Sequence, residues 1–343
     1  MSEDFASSSS TGAERQTSST YFYRIYGLVL ASEIELPEIS GCQIAPSSTP
    51  DVHVRLDTFE SPKDSIQLGY VSMADGATFI DIPGVAGYAV ERGRLIRIVP
   101  RAGIHRALVR MFLLSWGMNL IFHQRGILAL HASAVAFGGR IVAFAGDTGA
   151  GKSTIAAHCV QAGGKLVADD MVRVSLTSDG VHVFAGAPHL RLWREALDGL
   201  DRSSKERAAI FLLEDKFWVP TVGLNTDEQL PLARIYLLEK DEHVADFICE
   251  RVTGAAALTS LIFNSHGWMN SVDTANRRAA HFQDCVRLAN SVEIVRIRRQ
   301  IDQAQLPRIA AHIAAAEQAP YSAPPRLPSA ASASNLPAAT TAL

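Results

Sequence analysis

The sequence predicts a mixed α/β domain preceded by a small β-rich α+β domain, with disordered segments at both ends of the 343-residue chain. Residues 21–100 alternate short apolar and polar runs between Gly, Pro and Asp, which is typical of strands and turns. From residue 126 onward, apolar strands alternate with helical segments, the pattern of an α/β domain. Residues 1–20 and 318–343 are rich in Ser, Ala, Pro and Thr and offer too little apolar surface to fold.

The small N-terminal domain is expected over residues 21–125. Alternating runs such as residues 52–56 and 95–99 predict its strands. Residues 104–122 have the apolar spacing of a helix that links this domain to the next. The apolar part of this helix is shorter than the roughly 20 residues that cross a membrane, so we expect it to be buried in the protein.

The second domain is expected over residues 126–317. A strand at residues 127–137 turns at Gly138-Gly139 into a strand at 140–145, and a helix begins at Lys152. The same pattern predicts later strands at residues 235–239, 247–251 and 293–297, and later helices at 255–263, 273–289 and 306–316.

Charge and cysteine content exclude several classes of protein. With 32 basic and 35 acidic residues the formal net charge is -3, so no overall positive field favours nucleic acid or an anionic membrane. The 4 cysteines have no C-x-x-C spacing, which argues against a zinc site and against a disulfide framework. Because the first residues lack the basic and apolar layout of a secretory signal, we expect a cytoplasmic protein.

A glycine-rich loop joins the predicted strand at 140–145 to the following helix. Its sequence matches G-x-x-x-x-G-K-[ST], the phosphate-binding loop, at every fixed position. In such loops backbone N–H groups surround phosphate oxygens, the lysine contacts the β- and γ-phosphates, and the hydroxyl binds Mg²⁺. We therefore expect ATP or a similar nucleoside triphosphate, with Mg²⁺, to be bound by Gly146, Asp147, Thr148, Gly149, Ala150, Gly151, Lys152, Ser153 and Thr154.

Two carboxylates, Asp169 and Asp170, follow the next predicted strand at residues 165–168. We expect one helix to lead from the loop straight into the neighbouring strand, so that both carboxylates reach the edge of the sheet where the phosphates bind. One can accept a proton from an acceptor hydroxyl while the other supports the metal. We assign Asp169 as the base and Asp170, with Ser153, to the metal, although the sequence also allows the reverse.

Several other polar residues have two interpretations. His131, in an apolar strand, is either a catalytic group near the phosphates or a core histidine. Arg191 and Arg194 either bind a phosphate or a peptide carboxylate, or flank the start of a packed helix. Four other basic residues are interpreted as ordinary surface charge: Lys216, Arg296, Arg298 and Arg299.

Residues 126–200 resemble the C-terminal catalytic domain of HPr kinase/phosphorylase and the HPr-kinase-like serine kinases. The resemblance rests on three blocks in order, at residues 130–133, 146–153 and 167–170. In that family the loop lysine and serine hold phosphates and metal, the first aspartate is the base toward a protein serine, and the histidine lies near the phosphates. The resemblance implies these roles for Lys152, Ser153, Asp169 and His131.

Two segments depart from the HPr enzymes. Where those enzymes have Glu-Ile-Arg-Gly, residues 189–192 read His-Leu-Arg-Leu, and the missing carboxylate argues against the reverse, phosphorolytic reaction. The Leu-Pro-Glu at residues 36–38 and the segment at 188–193 are more similar to kinases encoded beside lasso-peptide biosynthesis genes, which phosphorylate a C-terminal serine of the precursor peptide.

Together these features predict a kinase that transfers the γ-phosphate of ATP to a serine of a protein or peptide. Two alternatives stay open: a bifunctional kinase/phosphorylase that regulates a sugar-transport phosphocarrier, and a nucleotide-binding sensor or scaffold that transfers no phosphate. The sequence is compatible with a homo-oligomer and does not identify the acceptor.

Overall fold

The computed structural model of the protein describes residues 19–59, 70–72, 77–200, 210–213, 216–221, 223–265, 275–300 and 303–318. Most of the predicted disordered ends, residues 1–18 and 319–343, therefore lie outside the described residues. Within the described residues the fold is mixed α/β with three sheets, which confirms the predicted class. The division into two domains and the HPr-kinase-like assignment stay predictions.

The first sheet is built from the alternating runs of residues 21–100. Its strands are β1 (Tyr21–Ile25), β2 (Leu28–Ser32), β3 (Val52–Leu56), β4 (Tyr70–Ser72), β5 (Ala77–Ile82), β6 (Ala86–Glu91) and β7 (Leu95–Pro100). Among the described residues they form a seven-stranded sheet in the order β1-β2-β3-β7-β6-β5-β4. Apolar side chains alternate inward along β3 and β7, as expected for a sheet with one buried face.

The predicted linking helix contains a local irregularity. It begins as α1 (Arg106–Phe112), passes through a π-helical turn at Leu113–Gly117 and continues as α2 (Met118–Gln124). Within the turn, the hydroxyl of Ser115 donates to the carbonyl of Met111, at 2.8 Å. The predicted extent of the helix, residues 104–122, is close to the observed one, but apolar spacing alone does not reveal a π turn.

The larger sheet and a small third sheet follow in the chain. Their strands are β8 (Leu128–Leu130), β9 (Ala132–Phe137), β10 (Arg140–Ala145), β11 (Lys165–Ala168), β12 (Val172–Thr177), β13 (Gly180–Phe184), β14 (His189–Trp193), β15 (Ile210–Leu213), β16 (Lys216–Pro220), β17 (Gln229–Lys240), β18 (Ile248–Val252) and β19 (Glu293–Arg299). The helices are α3 (Lys152–Gln161), α4 (Arg194–Gly199), α5 (Gly254–Asn264), α6 (Ala275–Ser291) and α7 (Leu306–Gln318), which is preceded by a 3₁₀ turn at Gln303–Gln305.

Within the described residues the larger sheet has the order β11-β9-β10-β17-β13-β12-β8, with β19 also paired to β17 and β18 paired to β19. The third sheet has the order β14-β16-β15. The predicted single strand at 127–137 is two strands, β8 and β9, which pair with different partners. The expectation that β11 lies beside β10 is wrong, because β9 runs antiparallel between them.

The hydrophobic core lies on both faces of the larger sheet. On one face α3 packs against α7, and their apolar residues form a cluster with the neighbouring strands. On the other face a second cluster is continuous from the first sheet through α1 and α2 to α5 and α6. The first sheet is therefore packed against the larger one through shared apolar surface.

Within the helices that the structure describes, none has the length and apolar character needed to span a bilayer.

A buried ion pair fixes the 3₁₀ turn Pro37–Cys42 to α1. The guanidinium of Arg110 contacts both carboxylate oxygens of Glu38, with Nε–O distances of 2.8 and 2.9 Å. The Glu38 side chain is 0% exposed and that of Arg110 is 15% exposed. The Leu-Pro-Glu segment thus contributes a structural ion pair rather than a surface carboxylate.

Removing this pair should destabilise the protein. Since Glu38→Ala leaves the Arg110 charge buried without its partner, we expect the free energy of unfolding to fall by about 3 kcal/mol. Urea denaturation followed by circular dichroism measures the change. The matched control is Glu35→Ala, which removes an exposed carboxylate from the same segment and should leave the midpoint unchanged. Equal midpoints for both variants would contradict the assigned role of Glu38.

Candidate active site

The glycine-rich loop has the backbone conformation that its sequence predicts. Gly146, Gly149 and Gly151 have φ values of 142°, 79° and 95°, a region that side chains with a Cβ rarely adopt. A Cβ on Gly146 would also lie 2.5 Å from the carbonyl oxygen of Leu238. The loop therefore needs glycine at these three positions for conformation, and at Gly146 for space as well.

Lys152 and Ser153 begin α3 directly after the loop. The Lys152 side chain is held across the loop, with its Nζ 2.9 Å from the carbonyl oxygen of Gly146 and 3.1 Å from that of Asp147. At the N-terminus of α3, the unpaired N–H groups and the helix dipole favour an anion. The loop can therefore hold the oxygens of a phosphate chain, with an ammonium group beside them.

The carboxylate of Asp169 lies at the centre of the site. Its Oδ1 accepts hydrogen bonds from the hydroxyls of Ser153, at 2.9 Å, and Ser133, at 2.5 Å. Its Oδ2 accepts from the backbone N–H of Arg191, at 2.7 Å. Since the residue is only 9% exposed, these three donors compensate for the loss of water around the charge.

Asp170 faces a different set of partners. It has a positive φ of 72°, so the chain turns sharply after Asp169 and directs the two carboxylates to different places. One Asp170 oxygen pairs with the guanidinium of Arg191, and the other lies 3.7 Å from Nε2 of His131. The structure thus brings His131, Lys152, Ser153, Asp169 and Asp170 together in one cleft, and their functional roles stay predictions.

Ser133 is a site residue for which the sequence analysis assigned no role. It lies on β9, the strand that separates β10 from β11, and its hydroxyl reaches Asp169. The signal that could have found it is its position in the block at residues 130–133, two residues after His131. Its contact with Asp169 depends on strand order, which no local pattern specifies.

The interpretation of Arg299 as surface charge is wrong. Arg299 is only 5% exposed, and its Nη2 donates to the carbonyl of Ala150 in the loop, at 2.8 Å. Alternation along β19 places Arg299 on the same side as buried Ile297, and this pattern could have identified it. In contrast, Arg296 and Arg298 form partly exposed ion pairs with acidic neighbours, as expected for surface charge. The side chain of Lys216 lies outside the described residues.

Asn264, at the end of α5, supports the other end of the loop. Its Oδ1 accepts a hydrogen bond from the backbone N–H of Gly146, at 2.7 Å, and its Nδ2 donates to the carbonyl of Ser260. The sequence analysis did not single out Asn264. It holds the first residue of the loop from a segment far away in the chain.

The loop separates two open depressions. One is a cleft of about 350 Å³, lined by His131, Ser133, Thr148, Gly149, Gly151, Lys152, Ser153, Thr154, Asp169, Asp170, Arg191, Trp193 and others. The remaining predicted loop residues, Gly146, Asp147 and Ala150, line the second depression with Thr148. The cleft contains both the anion-binding end of α3 and the two carboxylates, so we regard it as the candidate active site.

The cleft offers oxygen ligands to a hard cation. The hydroxyl of Ser153 and the carboxylate of Asp169 are adjacent, and such oxygens are what Mg²⁺ prefers, together with water and phosphate. No cluster of three or more His, Cys, Asp and Glu side chains suited to a metal occurs in the part of the chain that the structure describes. Because Mg²⁺ is usually held by one or two protein carboxylates together with water and substrate phosphate, a cation here would be shared between the protein and a bound phosphate.

The surroundings of Arg191 and Arg194 distinguish between the two interpretations of these arginines. The Arg191 side chain is 15% exposed and pairs with Asp170, so it belongs to the site. Arg194 lies at the start of α4, with its guanidinium 5.0 Å from the centre of the Phe217 ring, so it is a packing residue. Trp193 lines the cleft and is 45% exposed.

His189 lies behind the carboxylates rather than in the cleft. Its ring stacks on that of Trp218, with centroids 4.4 Å apart. Burial lowers the pKa of His189 to about 4, and the nearby Asp169 opposes this only in part. His189 is therefore neutral at neutral pH.

Comparison with known proteins gives a weak structural likeness. No protein-family model and no curated protein matches the chain. Among solved structures, the chain is similar to the HPr(Ser) kinase/phosphatase from Coxiella burnetii, with a TM-score of 0.30 and 12% sequence identity, over 55% of this chain and 95% of that chain. Because a TM-score of this size carries no argument, the function is inferred below from the residues of this protein.

The lowered pKa of His189 predicts an acid-sensitive fold. The unfolded chain binds a proton at this residue near pH 6.5, whereas the folded protein does so only near pH 4, so stability falls as the pH falls through this window. Between pH 7 and pH 5 the loss should be about 2 kcal/mol. Urea denaturation at both pH values should show a smaller loss for His189→Gln than for wild type, whereas the control His182→Gln should behave like wild type. An unchanged pH dependence in His189→Gln would contradict the prediction.

Proposed function

We propose that this protein is an ATP- and Mg²⁺-dependent kinase that transfers the γ-phosphate to a serine hydroxyl of a protein or peptide. The observation that carries the proposal is the contact between the loop and the carboxylates: Ser153, at the start of α3, lies 2.9 Å from Asp169. A loop that binds phosphate and a carboxylate that supports metal or accepts a proton thereby share one cleft.

The nucleotide side of the cleft fits a triphosphate. The positive φ of Gly149 and Gly151 turns backbone N–H groups inward, and Lys152 supplies a side-chain cation for the terminal phosphates. Ser153 and Asp169 would hold Mg²⁺, which, when bound, neutralises charge on the phosphate oxygens. The protein's own contribution is then mainly orientation and electrostatic stabilisation.

The surroundings of the two aspartates favour exchanging their roles, so that Asp169 supports the metal and Asp170 is the base. Asp169 already accepts three hydrogen bonds, one of them from Ser153, which suits a group that supports the metal. Asp170 is 32% exposed and directs one oxygen toward His131 in the cleft. In this assignment the serine oxygen of the acceptor bonds to the γ-phosphorus, the bond from that phosphorus to ADP breaks, and Asp170 takes the serine proton.

Phosphate transfer tests the proposal directly. The protein is incubated with γ-labelled ATP, Mg²⁺ and serine-containing peptides encoded beside its gene, and the products are analysed for phosphoserine. Label on serine that depends on Mg²⁺ supports the kinase. Tight ATP binding without transfer to any acceptor or to water supports the sensor or scaffold instead, and phosphorolysis of a phosphoserine protein supports the bifunctional enzyme.

Lys152 should be required for productive nucleotide binding. Lys152→Ala removes the side-chain charge expected on the terminal phosphates, so we expect ATP affinity to fall about 10-fold or more, together with turnover. Isothermal titration calorimetry measures the affinity. The control is Lys165→Ala, an exposed lysine at the start of β11, which should bind ATP like wild type. Wild-type affinity and turnover in Lys152→Ala would rule out the loop as the nucleotide site.

The two aspartates should have separable effects. Asp170→Asn keeps the shape but cannot take a proton, so transfer should fall roughly 10²–10⁴-fold with little change in ATP affinity. Asp169→Asn should instead raise the Mg²⁺ concentration needed for half-maximal transfer. Transfer rates over a Mg²⁺ series separate the two effects, with the surface variant Asp179→Asn as control. The opposite pattern would restore Asp169 as the base, and wild-type transfer in both variants would exclude this mechanism.

A further inference from the structure

The tip of the first hairpin has an unusual residue. Strands β1 and β2 are joined by Tyr26 and Gly27, whose φ values are 54° and 65°. Two-residue turns with two positive φ values favour Asn, Asp or Gly at the first position, and a bulky residue there costs on the order of 1 kcal/mol. A tyrosine in this conformation therefore needs a compensating contact elsewhere.

The compensating contacts are with α2 and with the chain around the end of β13. The Tyr26 side chain is buried, with the residue 5% exposed, and its ring packs edge-on against Phe122, with centroids 5.4 Å apart. Its backbone N–H donates to the carbonyl of Ala185, at 2.7 Å, and its carbonyl accepts from the guanidinium of Arg173. The hairpin tip is thus attached by backbone and by side chain to the chain between β13 and β14.

The segment under the Tyr26 ring is connected to the candidate active site. The ring lies so close to Gly186 that a Cβ on this glycine would collide with it. The N–H of Gly186 donates to the carbonyl of Val167, at 2.7 Å, on the strand that leads to Asp169. A few residues further on, the N–H of Arg191 donates to Asp169 itself. Tyr26 therefore covers a segment that is hydrogen-bonded near its start to Val167 and near its end to Asp169.

A small crevice of about 20 Å³ gives a second link. Tyr26, Ser115, Asp169, Asp170 and Arg191 are among the residues that line it. Burial raises the pKa of the Tyr26 hydroxyl well above its ordinary value, and the charges of Arg191 and Asp169 act on it in opposite directions. The neutral Tyr26 side chain thus shares this crevice with the two carboxylates.

We propose that Tyr26 is a positioning residue for the candidate active site: from the first sheet, it holds the segment that carries Arg191 against Asp169. The kinetic part of this inference rests on the proposed function. The structural part does not, because it concerns the order of residues 185–191 in the protein without ligand.

The variants distinguish the effect of the turn at Tyr26 and Gly27 from the effect of the contact between the Tyr26 ring and Gly186. Tyr26→Asn places a residue that the turn favours at its first position but removes the ring that reaches the site. The matched control is Arg92→Asn, since Arg92 also has a positive φ, 49°, next to a glycine in the same sheet, but its side chain is exposed. A second variant, Gly186→Ala, displaces the ring from the other side, and its control is Gly41→Ala, where a Cβ meets no neighbour within 4 Å.

Hydrogen–deuterium exchange of peptides covering residues 185–191 is measured first, on full-length protein without nucleotide. Tyr26→Asn and Gly186→Ala should speed exchange there about 10-fold, while both controls match wild type. In transfer assays the same two variants should lower kcat about 10- to 100-fold and change ATP affinity less than about twofold, because the loop is built by other residues. A variant with general destabilisation would speed exchange throughout the chain instead.

Wild-type exchange in residues 185–191 of both folded variants would overturn the inference, whether or not the protein is a kinase. Equal losses of kcat in the variants and their controls would overturn it as well. If wild-type protein transfers no phosphate, the proposed function fails, and the exchange experiment alone decides the role of Tyr26.

Discussion

The site depends on the hydrogen bonds that the buried carboxylate of Asp169 accepts. A carboxylate that is only 9% exposed is costly unless its oxygens receive hydrogen bonds. Its three donors come from three separate segments, Ser133 on β9, Ser153 on α3 and the backbone of Arg191 on β14. These bonds fix the glycine-rich loop, the central strands and the small sheet relative to one another. The strand order with β9 between β10 and β11 is what makes the Ser133 contact available.

The loop is likewise supported by residues remote in the chain. Its glycines allow the backbone to turn, but the turned backbone leaves polar groups that need partners. Asn264 accepts from the first loop glycine, and Arg299 donates to the carbonyl of Ala150. A loop held in this way is organised by the protein's own contacts, and such preorganisation lowers the cost of binding an anion.

The first sheet is structurally continuous with this arrangement. A single hydrophobic cluster runs from its strands into the larger sheet, and the ion pair of Glu38 with Arg110 attaches its 3₁₀ turn to the helix that leads there. Ser115, in the π turn of that helix, lines the same crevice as Tyr26 and the two carboxylates. The conformational cost of a tyrosine at positive φ is offset by its burial, which links the N-terminal hairpin to the position of Arg191 and Asp169.

The sequence by itself determined the local parts of this protein. The strand Arg140–Ala145, the glycine loop, the helix that begins at Lys152 and the carboxylates after β11 are specified by residues close together in the chain, because glycine conformation, helix N-termini and strand alternation act over a few residues. Only the tertiary structure decided that Ser133 lies beside Asp169, that Arg299 is buried under the loop and that Tyr26 reaches the site. These contacts join residues far apart in the chain. They form only in the strand order that buries the apolar side chains together and gives the buried polar groups hydrogen-bond partners.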